Sequence, residues 1–136
     1  MHSRDATLTD ASAINSVSRA LGYTPLSDTE AQAQLEALMA SPDDRVYVAE
    51  VDQRVVGWVH VFRARRVASL PFHEIGGLAV DPACRRQGIG RALIQHACSQ
   101  FEGPVRVRCR DDRTETHSFY EALGFTATKG QRVFTR

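Results

Sequence analysis

The chain has no apolar run approaching the roughly 20 residues that cross a bilayer, so a membrane-spanning helix is not expected. No apolar stretch follows Met1-His2-Ser3-Arg4-Asp5, and a secretory leader is not expected either. Cysteine is scarce: Cys84, Cys98 and Cys109 are odd in number and lack metal-ligand spacing. They read as free thiols of a reducing compartment, so a cytoplasmic location is expected and a metal is not. There is no internal repeat, low-complexity tract or long linker. A net charge of +1 leaves no nucleic-acid footprint, and neither a nucleic acid nor a membrane is expected as partner.

What remains is average in bulk. With 136 residues, 43% hydrophobic and 24% charged, the sequence is that of one globular domain, residues 1–136, long enough to bury a core without staples. The charge is unevenly spread. Residues 1–80 carry a net −3 and residues 81–136 a net +4, so a polyanionic ligand would be drawn to the C-terminal part; chance asymmetry is the alternative.

Periodicity predicts a mixed α/β order. Arg4 to Leu8 reads as a short strand, and Asp10 as the N-cap of a helix carrying Ala13, Ile14, Val17 and Leu21. A second helix starts near Asp28 and stops near Ser41-Pro42. Arg45–Val51 and Arg54–Phe62 form a hairpin around Asp52-Gln53, followed by a basic loop from Arg63 to Pro71. His73 to Val80 is a strand whose Gly76 and Gly77 suggest a bulge or a ligand's close approach. A helix over about 89–101, a strand Val105–Cys109 and a helix Thr114–Leu123 capped by Gly124 follow. Phe125–Thr128 and Arg132–Thr135 are the expected last strands.

The most informative segment is Val80-Asp81-Pro82-Ala83-Cys84-Arg85-Arg86-Gln87-Gly88-Ile89-Gly90-Arg91. A strand ends, a loop turns, and two glycines open a helix. Glycines let successive backbone N–H groups converge, and the positive helix end makes that point an anion site. Arg85, Arg86 and Arg91 add charge that can pair with phosphate. A P-loop needs Lys-Ser/Thr after its last glycine, where Ile89-Gly90-Arg91 stands. A dinucleotide fingerprint needs a third glycine, where Leu93 stands, and a shorter gap than that between Val80 and Gly88. Arg85-Arg86-Gln87-Gly88-Ile89-Gly90 fits fully the Arg/Gln-x-x-Gly-x-Gly/Ala loop that holds a coenzyme A pyrophosphate. A plain helix start with surface arginines is the alternative, and the better one for a lone Gly-x-Gly.

Context moves the reading. Some thirty residues on comes Ser118-Phe119-Tyr120-Glu121-Ala122-Leu123-Gly124-Phe125. With the Arg4-Asp5-Ala6-Thr7 opening, the Val55-Val56-Gly57 strand and the 85–90 loop, the chain resembles the GNAT N-acetyltransferase superfamily over nearly its whole length. The resemblance implies a mostly antiparallel α/β (α+β) sheet of six or seven strands. About four helices flank it, and its two central strands splay apart.

It also implies roles. The amides of Arg86, Gln87, Gly88, Ile89, Gly90 and Arg91, with Arg85, would cradle the pyrophosphate of acetyl-CoA. The pantetheine arm would lie along Leu78, Ala79 and Val80 like an added strand, beside Phe119. Tyr120 would protonate the departing thiolate, its alternative being a core tyrosine bonded to a backbone carbonyl. Glu74 stands where some members carry a base acting through water; a solvated strand-end carboxylate is the alternative. A base is needed because a lysine-like amine, with a reference pKa of about 10.4, arrives protonated. Arg113 and Thr116 depart from the usual Asn and Ala, and Arg113 could instead meet a phosphate. His117 reads as structural, Trp58 as core, and His60 and His73 as ordinary. The acceptor site would draw on the first two helices, Gly22 to Ser27 and the Arg63–Pro71 loop.

The implied activity is acetyl transfer to a primary amine of a small molecule or protein, by a monomer or homodimer. A non-catalytic acyl-CoA sensor or scaffold is the rival, and an enzyme acting on aminoacyl-tRNA would want a more basic surface.

Overall fold

The computed structural model describes residues 1–136. Its centre is one sheet in the order β1-β2-β3-β4-β5: His2–Asp5, Asp44–Val51, Arg54–Arg66, Ser69–Val80 and Val105–Val107. Neighbours are antiparallel except β4 and β5, which are parallel. Four helices flank it: α1 (Ala11–Ala20), α2 (Asp28–Ala40), α3 (Ile89–Ser99) and α4 (Thr114–Ala122). This is the mixed, mostly antiparallel α/β fold that the resemblance implies, with five strands instead of six or seven. No helix is long and apolar enough to cross a membrane.

Strand alternation splits the core between the two faces. On one, Ala49, Val59, Val61 and Ile75 cluster with Leu93, Ile94 and Ala97 of α3 and Tyr120 of α4. On the other, Val48 clusters with Ala11 of α1 and Leu35 of α2, with Trp58 at the margin. Leu93 has no exposed surface, so Leu93→Ala is expected to cost about 2–5 kcal/mol. Ser27 starts α2 through a capping box: its hydroxyl accepts from the Glu30 N–H at 3.1 Å while its own N–H donates to Glu30 Oε1 at 2.9 Å.

Three expectations are corrected. The first strand ends at Asp5, because the Asp10 carboxylate takes the Thr7 N–H at 2.7 Å and Arg4 at 2.8 and 3.0 Å. These bonds fold Leu8–Asp10 into a 3-10 turn, and Asp10 makes no side-chain cap on α1. Next, Arg63–Pro71 is not a loop. β3 and β4 continue through it, since Ala64 and Phe72 pair across the ladder and are both buried, leaving only Val67-Ala68 as the turn.

Finally, Phe125–Thr128 and Arg132–Thr135 form no strands. The Phe125 N–H closes α4 on the Tyr120 carbonyl at 3.1 Å, but Val133 and Phe134 beyond it are 88% and 89% exposed. β5, expected to run to Cys109, is only three residues long, so their local strand propensity finds little ladder to join.

Two features of β4 shape the site. Its register against β3 shifts between His60/Gly77 and Val61/Ile75, leaving Gly76 as the extra residue of a bulge. Its pairing with β5 runs His73↔Val105, Glu74↔Arg106 and Ile75↔Val107, then stops. Gly76 to Val80 therefore have no strand partner on that side, which is the splay.

Candidate active site

Where β4 ends, Asp81 Oδ1 accepts from the Ala83 N–H at 3.0 Å and starts a 3-10 turn over Pro82–Cys84. The chain then curls through two left-handed residues, Arg86 at φ 62° and Gly88 at φ 74°. A side chain at Gly88 would be strained by that φ, though it would meet no neighbour. α3 starts at Ile89 without a side-chain cap. The first helical N–H groups have no intrahelical acceptor, and Ala92 is the first to bond back, to the Gly88 carbonyl at 3.0 Å. The amides from Arg86 to Arg91 are thus unspent, at the positive end of an 11-residue helix. Arg85, Arg86 and Arg91 are exposed around them. These residues fit a diphosphate by chemistry and by count of free donors.

The loop, the strand edge and α4 converge. A Cβ on Gly90 would lie 3.4 Å from Phe119 Cζ and 3.6 Å from Val80 Cγ2. Leu78, Val80 and Phe119 pack against the core cluster that contains Tyr120. Tyr120 is 6% exposed and sits edge-on between Phe119 at 5.0 Å and Phe125 at 5.3 Å. Burial first, then the neighbouring ionisable Cys109, Tyr23 and Cys98, hold its phenol well above the usual tyrosine range. It is therefore a neutral O–H donor throughout the physiological range. Arg113 is exposed just ahead of α4. His117 holds the Arg110 carbonyl at 2.8 Å through Nε2, a structural contact.

Strand alternation puts Glu74 on the face of β4 opposite Ile75, at the vertex of the splay. Glu74 is 8% exposed. Its Oε1 lies 3.3 Å from Arg108 Nε, yet it has no hydrogen-bond partner: the guanidinium attracts it without aligning an N–H on it. A buried acceptor left open costs about 1–3 kcal/mol, so it calls for an explanation outside stability.

Around Glu74 the same face is walled by rings. Tyr23, from the Gly22–Ser27 segment, donates to the Leu78 carbonyl at 3.4 Å and leans on Trp58 at 5.7 Å. Trp58 is half-buried rather than enclosed and donates from Nε1 to Ser18 Oγ at 2.9 Å. Cβ atoms at Gly76 and Gly77 would fall 2.7 Å from His60 Nδ1 and 2.8 Å from Trp58 Cη2. The two glycines thus let those rings lie flat on the strand. His60 Nε2 in turn meets Asp44 Oδ1 at 2.7 Å.

The sequence reading names the loop, Phe119, Tyr120 and Glu74 as candidates and includes Tyr23 only within the Gly22–Ser27 segment; it does not name Arg106 or Arg108, which the ladder brings beside Glu74. The alternation Val105-Arg106-Val107-Arg108 was the available signal, since it puts both arginines on one strand face. The three cysteines are free, and burial raises Cys98 and Cys109, so neither is primed as a nucleophile. No cluster of three or more His, Cys, Asp or Glu side chains is poised for a metal. A cavity of about 1330 Å³ separates β5 and α4 from the C-terminal segment. Its lining includes Tyr120 but none of residues 74–80 or 85–91.

Residues 42–127 match the family model for the acetyltransferase (GNAT) domain. The peptidyl-lysine N-acetyltransferase YjaB of Salmonella typhimurium is 30% identical over 105 residues, covering 75% of this chain and 66% of that protein. The N-alpha-acetyltransferase RimI of Mycobacterium tuberculosis is 29% identical over 100 residues, 72% of this chain and 62% of that protein. The chain thus spans less than two thirds of the length of either relative. The crystal structure of the aminoglycoside antibiotic 6'-N-acetyltransferase AAC(6')-IG of Acinetobacter haemolyticus superposes with a TM-score of 0.83 at 20% identity, covering 100% of this chain and 98% of that one. With the fold, the uncapped loop and a family match across more than half its length, this chain belongs to the GNAT acetyltransferase family.

Proposed function

We propose that residues 1–136 act as one N-acetyltransferase domain that moves an acetyl group from acetyl-CoA to a primary amine. The observation that carries this is the run of unspent amides at 86–91 beside a β4 edge left unpaired from Gly76 to Val80. The amides and Arg85 would hold the pyrophosphate, with Arg113 available to a further phosphate. The open edge at Leu78, Ala79 and Val80 would bond the pantetheine amides as a neighbouring strand does. Acetyl-CoA supplies the acyl group already activated as a thioester.

The chain's own groups do the rest. An acceptor ammonium must lose a proton before its nitrogen attacks the thioester carbonyl, and Glu74, whose buried Oε1 carries no hydrogen bond, would take it through water. A backbone N–H at the bulge on β4 would face the carbonyl oxygen as it gains charge. As the carbon–sulfur bond breaks, Tyr120 offers its O–H to the sulfur. Its raised pKa keeps the O–H protonated, so it would donate a hydrogen bond to the leaving thiolate first and give up its proton as water resupplies one. Positioning two reactants in one cleft supplies much of the remaining acceleration. The free cysteines accord with a reducing, cytoplasmic setting.

The test is release of free thiol from acetyl-CoA across a panel of amines. Tyr120→Phe should lower kcat by about 10²-fold or more while cofactor affinity stays within about threefold. An unchanged rate would remove Tyr120 from the chemistry. Tight cofactor binding without turnover of any amine would select the acyl-CoA sensor instead.

A further inference from the structure

The geometry points to an acceptor that is itself anionic: a primary amine bearing carboxylate groups, held by Arg106 and Arg66 while its nitrogen addresses Glu74. This deepens the transfer reading and rests on it.

Glu74 and Arg106 are cross-strand partners in the parallel β4–β5 ladder, so their side chains rise from the same face about 5 Å apart. Arg108 follows two residues on, on that same face. Phe72, two residues before Glu74, shares it too. Two guanidinium groups lie over the Phe72 ring, with Cζ of Arg106 at 4.2 Å and Cζ of Arg66 at 5.5 Å from its centroid. Stacking fixes the plane of a guanidinium and leaves its donor edge open for a carboxylate.

The charges around these arginines do not balance. Asp43 is taken by Arg65 at 3.4 Å, Asp44 by His60 at 2.7 Å, and Glu74 itself by Arg108 at 3.3 Å. Arg66 and Arg106 are exposed and join no ion pair. The row therefore offers two oriented, uncompensated cations next to a buried carboxylate whose Oε1 faces Arg108 without a hydrogen bond. An amine held near Glu74 through water and carboxylates on the two arginines would complete both halves at once. A polycationic amine would place its further charges against the arginines.

The experiment uses the full chain, acetyl-CoA and three peptides sharing one N-terminal amine: Ala-Glu-Glu, Ala-Gln-Gln-amide and Ala-Arg-Arg-amide. The expected order of kcat/KM is acidic, neutral, basic, with at least a tenfold span that narrows as salt is added. In Arg66→Gln/Arg106→Gln the acidic-to-neutral ratio should fall towards one. Free glutamate beside Ala-Glu-Glu tells a small amino acid from a peptide end as the source of the anionic amine. Equal rates for all three peptides, or a preference for the basic one, would overturn the inference. Should acetyl-CoA bind and neither these peptides nor the wider amine panel release thiol, the transfer reading fails. Calorimetry of the same peptides against the coenzyme A-loaded chain then decides the charge preference: tighter acidic binding supports it, and equal or weaker acidic binding overturns it.

Discussion

The loop at 81–91 and the face around Glu74 lie at the two ends of the unpaired β4 edge, and they are built differently. The loop is a single stretch of chain that presents backbone: unspent amides, two left-handed residues and an uncapped helix end. The Glu74 face presents side chains, and gathers Tyr23, Trp58, His60, Glu74, Arg106 and Arg108 from separated segments. Recognition by backbone tolerates many side-chain changes but few changes of shape. Recognition by side chains does the reverse, and so can vary from one family member to the next without disturbing the cofactor half.

The largest separation of the two halves should come from Gly90→Val. The missing Cβ already has neighbours at 3.4 and 3.6 Å in Phe119 and Val80, so branched methyls must displace the ring or stand over the amides. Acetyl-CoA affinity should fall by about 100-fold, of the order of 3 kcal/mol, with the thermal midpoint little changed. Gly90→Ala, which adds only that Cβ, should stay within about threefold by the same calorimetry. Equal losses for both would mean that side-chain bulk is not what the cradle excludes.

A smaller and opposite effect is expected from Gly77→Ala. Its Cβ would fall 2.8 Å from Trp58 Cη2, so the indole must move off the strand. KM for the acceptor should rise about tenfold while acetyl-CoA affinity holds, since only the acceptor wall is disturbed. A matching loss of cofactor affinity would show that the two halves are not separable.

The same contrast explains what could be read from sequence. Gly88, Gly90 and the flanking arginines are local, so the helix start, its missing cap and the candidate anion site follow from neighbouring residues alone. Phe119 and Tyr120 were placed by resemblance, and the core at Val80 and Gly90 is where they pack. Glu74 and the Arg63–Pro71 segment were named from sequence, but how they meet was not legible, because it depends on register: only the ladder sets Arg106 opposite Glu74, and only a β3–β4 hairpin extended past Phe62 brings Arg66 over Phe72. The run Arg63-Ala64-Arg65-Arg66 reads as polar loop until Ala64 is seen paired with buried Phe72. Phe125–Thr128 and Arg132–Thr135 failed for the converse reason. Their residues suit a strand, but a strand needs an edge, and three residues of β5 offer little of one.

The smallest effect lies outside both halves and serves as a control. His73 stacks on Phe101 at 3.9 Å, and burial, then the charge of Arg63, lowers its pKa below the usual histidine value. The unfolded chain thus binds the proton more readily, so stability should fall as pH drops through about 6.5 and below. Thermal midpoints at pH 7 and pH 5 should lie closer together in His73→Phe, which keeps the stack and cannot titrate. Neither acetyl-CoA affinity nor the acidic-to-neutral peptide ratio should follow that change. An undiminished acid dependence in the variant would assign it to other groups.

The central claim is that free backbone donors between Arg86 and Arg91 grip the cofactor's diphosphate. Titrating ¹⁵N-labelled protein with coenzyme A while following its amide resonances tests this most directly. The signals of Gly88, Ile89, Gly90 and Arg91 should move first and furthest, and those of Arg106 and Arg108 should respond only when an acidic amine is added. Resonances at 86–91 that stay fixed at millimolar coenzyme A, in a chain whose spectrum is otherwise that of a folded protein, would contradict the account.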